Sequence, residues 1–225
     1  MIKLTYMEKT QKSRAYTIIG MSLMASFILT KFIPSIQMEG GSIFIGIASF
    51  FLVEYIEKTR EKDSGLRFTT IVEDLKKPGV LLWMSFPIIS SIGSILLGKL
   101  LFGNGYVDHV LSRTDSVLSF EQISVLIGQL VTGAFGEEIA FRGFFVGKGM
   151  KIFPFQGCML LSSFLFSIAH YAPGDPMIVA YDLIGIFIDA LIYSMIYKKT
   201  GNCVISVIAH FLLNLIGLVL VFALF

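Results

Sequence analysis

A chain of 225 residues that is 55% hydrophobic and 15% charged, with mean hydropathy +0.78, is not an ordinary soluble domain, where charged residues make up about 25%. Its 18 Lys and Arg against 16 Asp and Glu leave a net charge of +2, and with no basic run this excludes a nucleic-acid partner. Apolar side chains in this proportion need lipid to cover them. The expectation is therefore an all-α, polytopic bundle forming one membrane domain over residues 1–225.

Seven apolar runs near the ~20 residues that cross a bilayer follow one another. They are roughly Tyr16–Ile36, Ser42–Ile56, Gly79–Phe102, Phe120–Phe145, Phe155–Tyr171, Met177–Tyr197 and Val204–Phe225. The second is short, and an eighth helix is compatible with the pattern. Turn signals separate the runs: Glu39-Gly40-Gly41, Lys77-Pro78-Gly79, Gly103-Asn104-Gly105, Pro154, Pro173-Gly174-Asp175-Pro176 and Thr200-Gly201-Asn202. Residues 57–78 read as a solvated loop with a short helix. The first run has no small-residue cleavage pattern after it and reads as an uncleaved helix. Cys158 and Cys203 fall inside apolar segments without ligand-like spacing and are expected to be free, buried thiols.

Basic residues orient the spans. The N-terminal tail, the 57–78 loop, the stretch after the fourth span and Lys198-Lys199 carry 15 of the 18, leaving Lys31, Lys99 and Arg113 at the other end. This predicts a cytoplasmic N-terminus and an external C-terminus. Asp108 and His109 then fall in an external, solvated loop.

Ionisable groups inside the spans are few, so each is a functional candidate. Glu138 and Arg142 lie four apart, acid first, and are expected to pair on one helix face. Glu137 points about 100° away and has no such partner. His170 ends an otherwise apolar run, and His210 and Asn214 share a face of the last span. Glu137 lies 17 residues before Pro154, His170 16 after it, and His210 nine past Gly201. Similar distances from these turns predict similar depth, one to three turns in from the cytoplasm. Asp182 and Asp189, seven apart, share a face of the sixth span and are expected to bond between helices or border a cavity. Gly143-x-x-x-Gly147 is a helix-packing pattern.

A carboxylate beside an imidazole can take a proton from water. A second imidazole and an amide can donate to a developing oxyanion. These are parts for hydrolysing an acyl bond, and inside a membrane that means a peptide. Glu137, His170 and His210 are also a possible zinc ligand set, and spacing does not separate the two. There is no HExxH helix, no GxSxG elbow and no aspartate dyad.

Glu137-Glu138-x-x-x-Arg142, Phe166-x-x-x-His170 and His210-x-x-x-Asn214, in that order within residues 120–217, resemble the CAAX-protease and bacteriocin-processing (Abi) family of intramembrane endopeptidases. The resemblance implies a multi-pass protein, of a bacterial cell membrane, with a conical cavity open to the cytoplasm. It also implies a protein or peptide substrate at the membrane: a CAAX-type tail, a bacteriocin precursor or a signal peptide. By motif, Glu137 would activate the water with His170 assisting, His210 and Asn214 would stabilise the oxyanion, and Glu138 and Arg142 would shape the site. The family has been described both as metal-dependent and as metal-independent. No cofactor is favoured here, because His210 and Asn214 on one face suit oxyanion donation. Two other readings compete. A non-catalytic immunity protein that binds a bacteriocin has no need of the full residue set. A proton-relay transporter predicts broken helices in two matching halves, and no such symmetry is visible.

Overall fold

The structure, a computed structural model, describes residues 2–33, 40–115, 118–119 and 122–223. Among them all regular structure is helical. The helices are α1 (Ile2–Leu29), α2 (Gly41–Glu57), α3 (Ile71–Leu75), α4 (Val80–Phe102), α5 (Asn104–Asp115), α6 (Ile123–Glu138), α7 (Phe155–Ala169), α8 (Pro176–Thr200) and α9 (Cys203–Ala223). Each of the seven apolar runs forms a helix where it is described; the portions at 34–36, 120–121 and 224–225 lie outside the described residues. Five helical segments are long and apolar enough to span a membrane, while α2 and α7 are shorter. The protein is a polytopic membrane protein. Its outward residues fit that setting: Phe44, Leu82, Leu100, Ile123 and Met177 are exposed side chains that lipid would cover.

Helix ends follow local chemistry. Asp175 caps α8 by accepting from the Met177 and Ile178 amides, with Pro176 in the first turn. Gly201 ends the same helix at φ 65°, where residues with a Cβ are disfavoured. The fourth span departs from the expected continuous α-helix. After Glu138 it widens into a π segment, Ile139–Val146, in which the Gly147 amide bonds the Arg142 carbonyl. This segment is buried throughout and packs against α2, α6 and α7. Met24, Phe50, Val53, Phe141, Phe144 and Phe166 form the main core around it.

A further helix, which the pattern allowed, stands where a loop was expected. The residues expected as an external loop form α5, which folds back on α4 and α8. The Tyr106 ring occupies the space a side chain at Gly98 would fill, so the bare glycine makes this approach possible. His109 is consequently buried, not solvated, with Nε2 3.5 Å from Asp182 on α8; Arg113 Nε lies 3.1 Å from the same carboxylate. Asp108 is exposed, as expected.

The basic segments gather at one end of the bundle. Ser13 on α1 donates to Glu57, and Lys148 and Lys151 pair with Glu57. Arg67 reaches the Thr200 and Gly201 carbonyls, and Lys77 also reaches Thr200. The 57–78 loop does contain a short helix, α3, but it is anchored to the bundle. Asp74 is buried, accepting from Asn202 and Thr70 and pairing with Lys77 at 2.6 Å. Cys158 and Cys203 are free and buried.

Candidate active site

Arg142 is fully buried and carries a charge, so its surroundings must offset the loss of water. Its Nη1 donates to Glu138 Oε1 at 2.9 Å and its Nη2 to the Ala190 carbonyl of α8 at 3.0 Å. The guanidinium lies over the Phe166 ring, 4.5 Å from its centroid, and near the Tyr193 ring at 5.1 Å. The expected four-residue pair therefore forms, although its second member stands in the π segment. Glu138 is equally buried, and its Oε1 also meets His210 Nδ1 at 3.0 Å.

These contacts set the two imidazoles. A carboxylate paired with arginine only accepts hydrogen bonds, so His210 Nδ1 carries a proton and donates it to Glu138. The ring stacks on Tyr193 at 4.8 Å between centroids, and its Nε2 faces Glu137 Oε2 at 3.7 Å. His170 follows the last residue of α7. Its Nδ1 lies 2.8 Å from the Phe166 carbonyl, which also only accepts. The neutral His170 ring thus turns an Nε2 lone pair toward Glu137 Oε1, 4.0 Å away. Phe166 holds both rings, with centroids 4.6 Å from His170 and 5.9 Å from His210.

Glu137, His170, His210 and Asn214 all line one cavity of about 820 Å³, within the range of small-ligand pockets. Glu137, His170 and His210 converge at its inner end, above Glu138 and Arg142. Asn214 lines the wall one turn beyond His210 along α9. Asp182, Asp189 and Tyr193 line the α8 side. The Asp189 Oδ1 and the Tyr193 hydroxyl are buried and have no hydrogen-bond partner among the described residues. Tyr193 is the neighbour that the sequence did not mark. Its position four residues after Asp189, on the face already occupied by Asp182 and Asp189, is the signal that was there to be read. His210 stands about two turns into α9, counted from the end where the basic loops gather. The cavity, however, extends from the site toward Lys31, Gly40, Arg113 and Pro173, at the end opposite the basic loops. The positive-inside orientation and a cavity open to the cytoplasm, both expected, cannot hold together in this arrangement.

As placed, the donors do not fit a zinc ion. Ligands at ~2.0–2.1 Å in a tetrahedron stand about 3.3 Å apart, and the Glu137–imidazole separations are 3.7 and 4.0 Å. Among the described residues no group of three or more His, Cys, Asp or Glu is arranged to hold a metal.

Residues 119–216 match the family described as Rce1-like, type II CAAX prenyl endopeptidase Rce1-like. This is the family that the three motifs resemble, and its match spans all of them. No curated protein and no solved structure matches the chain.

Proposed function

From the premise that residues 119–216 carry the Rce1-like segment of a membrane-endopeptidase family, we propose that this protein hydrolyses a peptide bond with a water held between Glu137 and His170. The observation that carries the reading is the 4.0 Å gap between Glu137 Oε1 and His170 Nε2. A single water at ~2.8 Å from each acceptor fits that gap and donates one hydrogen to each. Its free lone pair then faces the cavity.

In this reading the water oxygen attacks the scissile carbonyl carbon as Glu137 takes one of its protons. The carbonyl oxygen becomes an oxyanion, which the Asn214 amide and His210 stabilise. His210 can donate from Nε2 only as an imidazolium, because Nδ1 is already committed to Glu138. Collapse of the tetrahedral species breaks the C–N bond, and the proton held on Glu137 passes to the leaving nitrogen. The products are an amine and a carboxylic acid, which then gives up its proton to solvent, and no step passes through a metal. Glu138 and Arg142 hold His210 in place without touching substrate.

The test is cleavage of a farnesylated CAAX peptide, and of the same peptide unmodified, by purified protein with and without a strong chelator. Wild-type activity that survives the chelator and falls by about 10²–10⁴ in Glu137→Gln supports the reading. Chelator-sensitive activity restored by zinc overturns the metal-free mechanism, and undiminished cleavage by Glu137→Gln overturns the role of Glu137.

A further inference from the structure

The cavity has a closed inner end and an outer end lined by chain connections and α5. Its inner end is closed by buried groups, among them Glu138, Arg142 and Phe166. Its outer lining comes from Lys31 after α1, Gly40 before α2, Arg113 on α5 and Tyr171–Pro173 after α7. None of its lining belongs to residues 57–78, 147–154 or 198–203. Those are the basic segments, and contacts between them fix them at the opposite end: Ser13 with Glu57, Lys151 with Glu57, and Arg67 with Gly201. The cavity end keeps its own contacts, with Lys31 donating to the Ala169 carbonyl at 2.6 Å and the Phe32 and Tyr171 rings 5.2 Å apart.

Lys and Arg in short loops near span ends set which face stays in the cytoplasm. Here the mouth end has only Lys31, Lys99 and Arg113. We propose that the mouth opens on the face away from the cytoplasm, and that the substrate is a translocated polypeptide reaching the site from that face. The walls favour an apolar stretch of that chain, since Phe27, Ile28, Ile43, Phe141 and Leu213 line the path between mouth and site. This rests on the peptidase reading for the word substrate, but the side on which the mouth opens does not depend on it. It is opposite to the cytoplasmic opening that the family resemblance implies.

The experiment places one cysteine at each end in a bacterial host. Asp108→Cys is exposed on α5 at the mouth end, and Lys62→Cys is exposed in the basic loop. The two native cysteines are buried, so unaltered protein is the background. A membrane-impermeant maleimide should label Asp108→Cys in intact spheroplasts and Lys62→Cys only after permeabilisation. The reverse order, or labelling of both in intact spheroplasts, overturns the proposal. A second arm maps new protein termini in cells expressing the wild type against Glu137→Gln. They should fall in translocated segments, and new termini confined to cytoplasmic segments overturn the substrate class. The labelling result stands or falls independently of cleavage, so failure of the orientation and failure of the peptidase reading are told apart.

Discussion

Glu138 receives Arg142 and His210 on the same oxygen, and this shared acceptor links stability to the proposed catalysis. Removing one partner of a buried charge pair leaves the other uncompensated, at a cost of about 3–5 kcal/mol. Arg142→Met is therefore expected to lower the thermal midpoint in detergent sharply, and unchanged unfolding would show that the pair is not holding the helices. Glu138→Gln keeps the shape but can offer His210 a donor as well as an acceptor, which frees the ring to change tautomer. The expected result is a loss of kcat of about 10²–10³, the scale of a lost oxyanion donor, with KM little changed. The sequence made this pair legible because i,i+4 spacing survives even the widened helix. It could not show that His210 would complete the cluster, since 72 residues separate it from Glu138.

At the level of elements, the apolar runs announced seven helices, because lipid-facing and core-facing residues together give each span an unbroken hydrophobic stretch. The π segment and α5 were not legible. A π segment depends on what packs against it, here Phe50 and Tyr197, and not on local propensity. In α5, polar residues disguised a helix that, among its described side chains, buries only Tyr106, Val107 and His109 on one side. A side chain at Gly147 would collide with the Tyr197 hydroxyl and the Gly143 carbonyl. Gly147→Ala is accordingly expected to destabilise by about 1–3 kcal/mol, the usual range for overpacking, read as a lower thermal midpoint. A midpoint equal to the wild type would mean that the π segment tolerates a wider spacing from α8.

For the whole molecule, charge gathered at one end of the bundle ties the loops together, and in the orientation proposed above it also sets the direction of the spans. Burial works against the charge on Asp74, but Lys77, the Asn202 amide and Thr70 outweigh it and hold the carboxyl below its ordinary range. A lowered carboxyl stabilises the fold above the unfolded pKa of about 3.9, and that contribution is lost as pH falls through the folded value. Asp74→Asn should thus unfold earlier than wild type at neutral pH, with the gap closing on acidification below about pH 4. A gap that persists at low pH would assign the difference to packing. The sequence revealed which residues were out of place in lipid; it did not reveal which way their cavity runs, because its outer end is lined by the α1–α2 connection, α5 and the α7–α8 connection, far apart in the chain. In the proposed mechanism α6 and α7 bring Glu137 and His170 to one reacting water, with His210 of α9 beside it. Cleavage rates of Glu137→Gln, His170→Ala and the combined variant measure that directly. Groups acting on one water are expected to give a combined variant about as slow as the slower single one, whereas losses that simply multiply would contradict a shared site.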